Sequence, residues 1–180
     1  MSTRVSVDAA RLAAFAREAA RISHGRLIAV VKSRCYGLGY EALRYICPYA
    51  HMLAVQDYEE YKELRALCHD KKVMILAPVY DESDIISVVN SGGILSVHSL
   101  SQAQMIARVA SVMGRVAEAQ LALDTGMSRY GIRADNKGEI DECINLSAIR
   151  YSGAYSHLYN GEDADSSLSQ MEKFEKTAKI

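Results

Sequence analysis

Lys32 closes the apolar run Leu27–Val31, and a short segment holding Tyr36, Gly37 and Gly39 follows it in AVVKSRCYGLG, residues 29–39. A cation at the end of a buried strand is costly unless something pairs with it. Desolvation there favours the neutral amine, the form that attacks a carbonyl to make a Schiff base. Two readings stand at this point: a structural lysine that reaches solvent, or a reactive amine placed at a site. A second unusual stretch is LDTGMSRYG, residues 123–131. An apolar run ends at Asp124, Thr125–Gly126 reads as a tight turn with close backbone approach, and Arg129 follows in the loop. Its planar fork suits a carboxylate, a phenolate or another oxyanion, unless the arginine simply faces solvent. The other polar residues at strand ends have plainer readings. Gln56 and Asp57 read as caps of the next helix, as does His98 with Ser99, while His157 and Tyr159 close the last strand.

Such groups need elements to hold them, and the pattern along the chain is alternation. Helical spacing of apolar residues predicts a helix over 8–23 with Asp8 as its N-cap. Strands are predicted over RLIAVV, MLAV, VMILA, ILSVH, AEAQLALD and IRYSGAYSHL, ending near residues 31, 55, 77, 97, 124 and 157. Helices fall between them over YEALRYIC, DYEEYKELRALC, ESDIISVVNS, SQAQMIARVASVM and KGEIDECINL, and a last one over SSLSQMEKFEKTAKI is capped by a serine. This rhythm is that of βα units, which need parallel strands and right-handed crossovers. Sites in such folds form at the C-terminal strand ends. No GxGxxG or GxxxxGK[ST] follows any strand, so the nucleotide signals of an open doubly wound sheet are missing. The fold class expected is α/β, and two architectures compete: an open doubly wound sheet and an incomplete TIM-type (β/α) barrel, of which about six of the eight βα units would be present. The 180 residues are therefore expected to be the front part of something longer, forming a single domain without a linker.

Composition narrows the function. Lys and Arg number 21 against 22 Asp and Glu, so no basic surface points to nucleic acid or anionic lipid. The four cysteines lie far apart with no CxxC spacing, which fits reduced thiols of a cytoplasmic protein rather than a disulfide framework or a metal site. No apolar run approaches the roughly 20 residues that cross a bilayer, and the N-terminal residues lack a signal-peptide core.

Taken together, AVVKSRCYGLG and LDTGMSRYG resemble the two best-known signatures of the alanine racemase family, fold-type III enzymes dependent on pyridoxal 5′-phosphate (PLP): AVVKANAYGHG and VDTGMxRxG. Their order and separation also fit. RVSVDAARLAAF resembles the family's opening E-I-D-x-x-A-L-x-x-N, and GAYSHL its G-x-x-T/S-H strand. The resemblance implies roles by position. Lys32 matches the lysine that binds PLP covalently and serves as one of two proton-transferring bases. Tyr36 matches the tyrosine near the cofactor's phosphate side. Arg129 matches the arginine that meets the PLP phenolic oxygen and the substrate carboxylate. His157 matches the histidine beside the pyridine ring.

The chain also departs from the family pattern. Arg34 stands for the usual Asn, Leu38 for His, and Phe15 for an Asn of the first helix. Ala122 stands where many members have a lysine, often carbamylated, that helps hold the arginine. In the family, the opposite-face tyrosine base, the arginine at the pyridine nitrogen, much of the phosphate cradle and a C-terminal β-domain all come later in the chain. The resemblance thus implies that residues 1–180 are the N-terminal part of a PLP-binding (β/α)₈ barrel without its β-domain. The complete protein is expected to be a cytoplasmic homodimer that interconverts L- and D-alanine for cell-wall supply, with this chain alone poorly active. Alternatives are a truncated PLP-binding or interaction module without turnover, and a racemase for serine or a broader amino-acid set. A decarboxylase of basic amino acids fits DTGMSRYG less well.

Overall fold

A computed structural model describes residues 6–179, which divide into two compact units, one up to Leu76 and one from Ala77. Arg4 and Val5 of the RVSVDAARLAAF stretch, and Ile180, lie outside the described residues.

In the first unit α1 (Ala9–Ile22) opens as predicted, with the Asp8 carboxylate accepting from the Ala10 and Arg11 N–H groups at 3.0 and 3.1 Å. Three parallel strands follow: β1 (Ile28–Val30), β2 (Met52–Val55) and β3 (Val73–Ile75), paired in that order. Every residue of β2 and β3 is buried. That explains why they read as unbroken apolar runs instead of alternating ones. The helix predicted over 40–47 is broken into a 3₁₀ turn (Tyr40–Ala42) and a short α3 (Leu43–Ile46). Ahead of them stands α2 (Lys32–Tyr36), a single helical turn with unusual backbone. The last helix of the unit, α4 (Tyr58–Leu67), has Asp57 as its N-cap and buries Tyr61 and Leu64.

The second unit holds β4 (Ile94–Val97), β5 (Ala117–Asp124), β6 (Ile132–Arg133) and β7 (Ile149–Tyr155), all parallel. β4 lies on one side of β5 and β7 on the other; β6 pairs only with the tip of β5, Leu123 against Ile132 and Asp124 against Arg133. Opposite Ala119–Gln120 the pairing jumps from Tyr151 to Gly153, an extra residue in β7 of the kind that bends a strand. The helices are α5 (Glu82–Asn90), α6 (Leu100–Val112), α7 (Lys137–Ile144) and α8 (Ala164–Thr177). Ser99 caps α6 as expected, but Asp163 caps α8 in place of the predicted serine, because its carboxylate reaches the Ser166 N–H at 3.1 Å. The parallel α/β reading holds, and all six predicted strands are present. The two-residue β6 was not among them. β7 stops at Tyr155, so His157 falls in the loop beyond it.

Candidate functional site

Lys32 stands directly past the end of β1, half-buried, and its Nζ donates to Gln56 Oε1 at 3.1 Å. The capping role expected of Gln56 belongs to Asp57 alone, whose Oδ1 accepts from the Glu60 N–H at 3.0 Å. Gln56 faces the amine instead.

Beyond Lys32 the chain turns the wrong way. Ser33 (φ 51°, ψ 43°), Arg34 (51°, 58°), Cys35 (57°, 46°) and Tyr36 (φ 55°) are all left-handed, although none is glycine. Each such residue costs on the order of 1–2 kcal/mol, so the turn persists only because its surroundings over-determine it. Cys35 N–H donates to Val31 O, Gly37 N–H to Ser33 O and Gly39 N–H to Arg34 O, each at 2.9 Å. Gly37 and Gly39 continue the positive φ at no steric cost. The Cys35 side chain is 3 % exposed, and burial pushes its thiol up, with the Glu41 charge adding to it.

Helix α4 holds the turn from outside. Glu60 accepts from the Ser33 N–H through Oε1 at 2.6 Å and from the Gln56 N–H through Oε2 at 2.8 Å. One helical turn later Glu63 meets the Arg34 guanidinium at 3.4 Å and accepts from the Tyr40 hydroxyl at 3.2 Å. Burial and then the Glu63 contact push the Tyr40 phenol up to about 12. Arg34, where the family has Asn, thus ties the turn to α4. Tyr36 and Leu38 are exposed.

In the second unit the LDTGMSRYG segment is built around Asp124. Its Oδ1 accepts from the Gly126 and Ser128 N–H groups, both at 2.9 Å, which folds the loop onto the end of β5. Thr125 is buried, its hydroxyl 2.8 Å from that of Ser156. The segment closes at Gly131 (φ 105°), where a Cβ would stand 3.0 Å from Asp124 N. Only glycine lets β6 lie so near β5.

Arg129 is exposed, its Cζ 5.8 Å from the centroid of the Tyr130 ring. Tyr130 in turn meets His98 edge to face at 5.5 Å. Ala122, 3 % exposed, offers no group to hold the arginine, so a cation–π contact with its own neighbour does so. Tyr155 donates to Ser96 Oγ at 3.1 Å. Burial pushes this phenol up, while the Ser96 hydrogen bond and the Arg129 charge pull it part of the way back. Gln102, fully buried, accepts from the His98 N–H at 2.8 Å and donates to Ser96 O at 3.1 Å. His157 is exposed in the loop after β7.

Of the residues singled out from sequence, Lys32 and Tyr36 belong to the first unit, and Arg129 and His157 to the second. Glu60, Tyr130 and Tyr155 escaped the sequence reading. The D-Y-E-E run at 57–60 does carry a capping-box pattern, which marks Glu60 as a residue whose side chain reaches back toward the strand.

Comparison with known proteins gives the family and the fold. The sequence model described as "Alanine racemase, N-terminal domain" matches residues 7–180. An alanine racemase of Clostridium tetani is 33% identical over 172 residues, 92% of this chain and 44% of that protein. One of Methanococcus maripaludis is 29% identical over 162 residues, 87% of this chain and 43% of that protein. The chain therefore spans less than half the length of these relatives. Among solved structures, alanine racemase of Clostridium difficile 630 in complex with cycloserine superimposes with a TM-score of 0.83 at 20% identity, over 98% of this chain and 52% of that one. Alanine racemase from a D-cycloserine-producing Streptomyces lavendulae gives 0.81 at 24% identity, over 98% and 49%. These likenesses show the fold, the parallel α/β arrangement of the racemase barrel domain. The chain belongs to the alanine racemase N-terminal domain family.

Proposed function

We propose that this chain is the N-terminal barrel part of a PLP-dependent racemase that interconverts L- and D-alanine. The observation that carries the reading is the placement of Lys32, a half-buried amine at a strand's C-terminal end that donates to the neutral Gln56 amide oxygen, 3.1 Å away. The Gln56 oxygen orients the amine at the strand end. The donor set fits PLP: an amine for its aldehyde, and in Arg129 an exposed guanidinium for an anionic oxygen.

When bound, PLP supplies the electron sink that stabilises negative charge at the amino acid's Cα. Lys32 would hold the aldehyde, and its amine would take up and return a proton at one face of Cα. Tyr36 would stand at the phosphate side, Arg129 at the phenolic oxygen and the substrate carboxylate, and His157 beside the ring. A base on the opposite face is needed as well, and none of these residues supplies it. The reading includes a homodimer in the cytoplasm, supported by the family membership and by four free cysteines. Among the described residues no helix is long and apolar enough to cross a membrane.

The test is covalent capture. PLP added to the protein should give an absorbance band above that of free PLP, and borohydride followed by peptide mapping should find the label on Lys32. Label spread over other lysines, or unchanged in Lys32→Ala, would sink the reading.

A further inference from the structure

We infer that Glu60 is the positioning residue of Lys32, clamping the two backbone segments between which the amine is held. The inference rests on the PLP reading above for its meaning and on geometry for its content.

Glu60 lies at the third position of α4, three residues after the Asp57 N-cap, where a capping-box glutamate turns back onto the N–H of the cap residue itself. This one does not. Its Oε2 takes the N–H of Gln56, one residue before the cap, and its Oε1 reaches across to the N–H of Ser33. Helix capping therefore does not account for the contact to Ser33. Both oxygens are occupied, each by a backbone donor from a different strand end, and charge-assisted bonds of this kind are the strong ones.

The two donors flank the amine. Ser33 is the residue after Lys32 and the first of the left-handed run, so its N–H fixes where the Lys32 side chain leaves the backbone. Gln56 is the residue whose Oε1 receives the Lys32 Nζ. A single carboxylate thus sets both the root of the lysine and the acceptor at its tip, while touching no atom of the amine. Glutamine could not replace it. An amide offers one acceptor oxygen, and its NH₂ would oppose the second backbone N–H, donor against donor.

The experiment compares the full chain with Glu60→Gln and with Glu59→Gln, a control one residue away whose carboxylate pairs with Lys62 on the exposed face of α4. Two signals are read: amide hydrogen exchange at Ser33 and Gln56, and the borohydride-trapped labelling rate of Lys32 by PLP and, separately, by formaldehyde. In Glu60→Gln both amides should exchange faster, and Lys32 labelling by PLP should slow about tenfold, the effect of losing one charge-assisted hydrogen bond. Other lysines and the Glu59→Gln control should keep wild-type rates. If Glu60→Gln gives no cooperative urea transition, Glu60→Asp is read in its place; it keeps both oxygens at shorter reach, and an intermediate slowing is expected. Wild-type exchange and labelling in the folded variant would overturn the inference. If PLP does not label Lys32 even in the wild type, the cofactor reading falls. The positioning inference is then decided by formaldehyde: a changed Lys32 rate relative to the other lysines sustains it, and an unchanged one refutes it.

Discussion

The carbonyl oxygen of Ala122 stands 2.9 Å from where a Cβ on Gly131 would be. That closeness follows from β6 lying against the tip of β5, and it sets the conformation of the loop that carries Arg129.

Gly131→Ala should therefore destabilise the protein by about 1–3 kcal/mol, the combined effect of a strained positive φ and a backbone clash. Urea unfolding with an unchanged m-value would measure it. A wild-type midpoint would mean that β6 can move away from β5 at no cost.

Arg129 gives the opposite pattern. It is exposed, with a cation–π contact to its neighbour Tyr130, so Arg129→Ala should shift stability by less than about 0.5 kcal/mol. On the proposed function, affinity of the PLP-loaded protein for alanine should fall about tenfold or more, since a charge-assisted pair would be lost. Equal affinity by calorimetry would take the carboxylate contact away from Arg129.

Alkaline pH should weaken the fold. Burial, with the charges of Glu139 and Glu142 behind it, pushes the Cys143 thiol up to about 11 from 9.0, and burial does the same to Cys47. A raised thiol means that the folded state keeps its proton longer than the unfolded state. This contribution is complete below 9.0 and is lost as pH rises through about 11. The urea midpoint should fall across that window, and Cys143→Ala should flatten the fall. A profile that Cys143→Ala leaves unchanged would refute the assignment.

Among the described residues β7 pairs only with β5, and most of its length is not buried. An unpaired edge of seven residues invites strand addition. Light scattering should show mass rising with concentration; a constant monomer mass would contradict this.

What was legible in the sequence was local. Asp8, Asp57 and Ser99 announce their helices because a cap acts within three residues, and β2 and β3 read as strands because both faces are buried. The site was half legible. Lys32 and Arg129 stand out by type and spacing, but the backbone that presents Lys32 does not. Ser, Arg, Cys and Tyr carry no propensity for left-handed geometry; it is imposed by Gly37, Gly39 and the α4 carboxylates, one of them 27 residues away in the chain. β6 is too short to leave a period. Gln56 looked like a cap because only the fold reveals the amine beside it.

The left-handed turn also has an immunological consequence. Ser33, Arg34 and Tyr36 are exposed in this chain. A synthetic peptide of residues 29–39 lacks Glu60 and Glu63 and would relax to right-handed or extended backbone, which L-residues favour. Serum raised against it would recognise blotted, denatured protein and pass over the native fold.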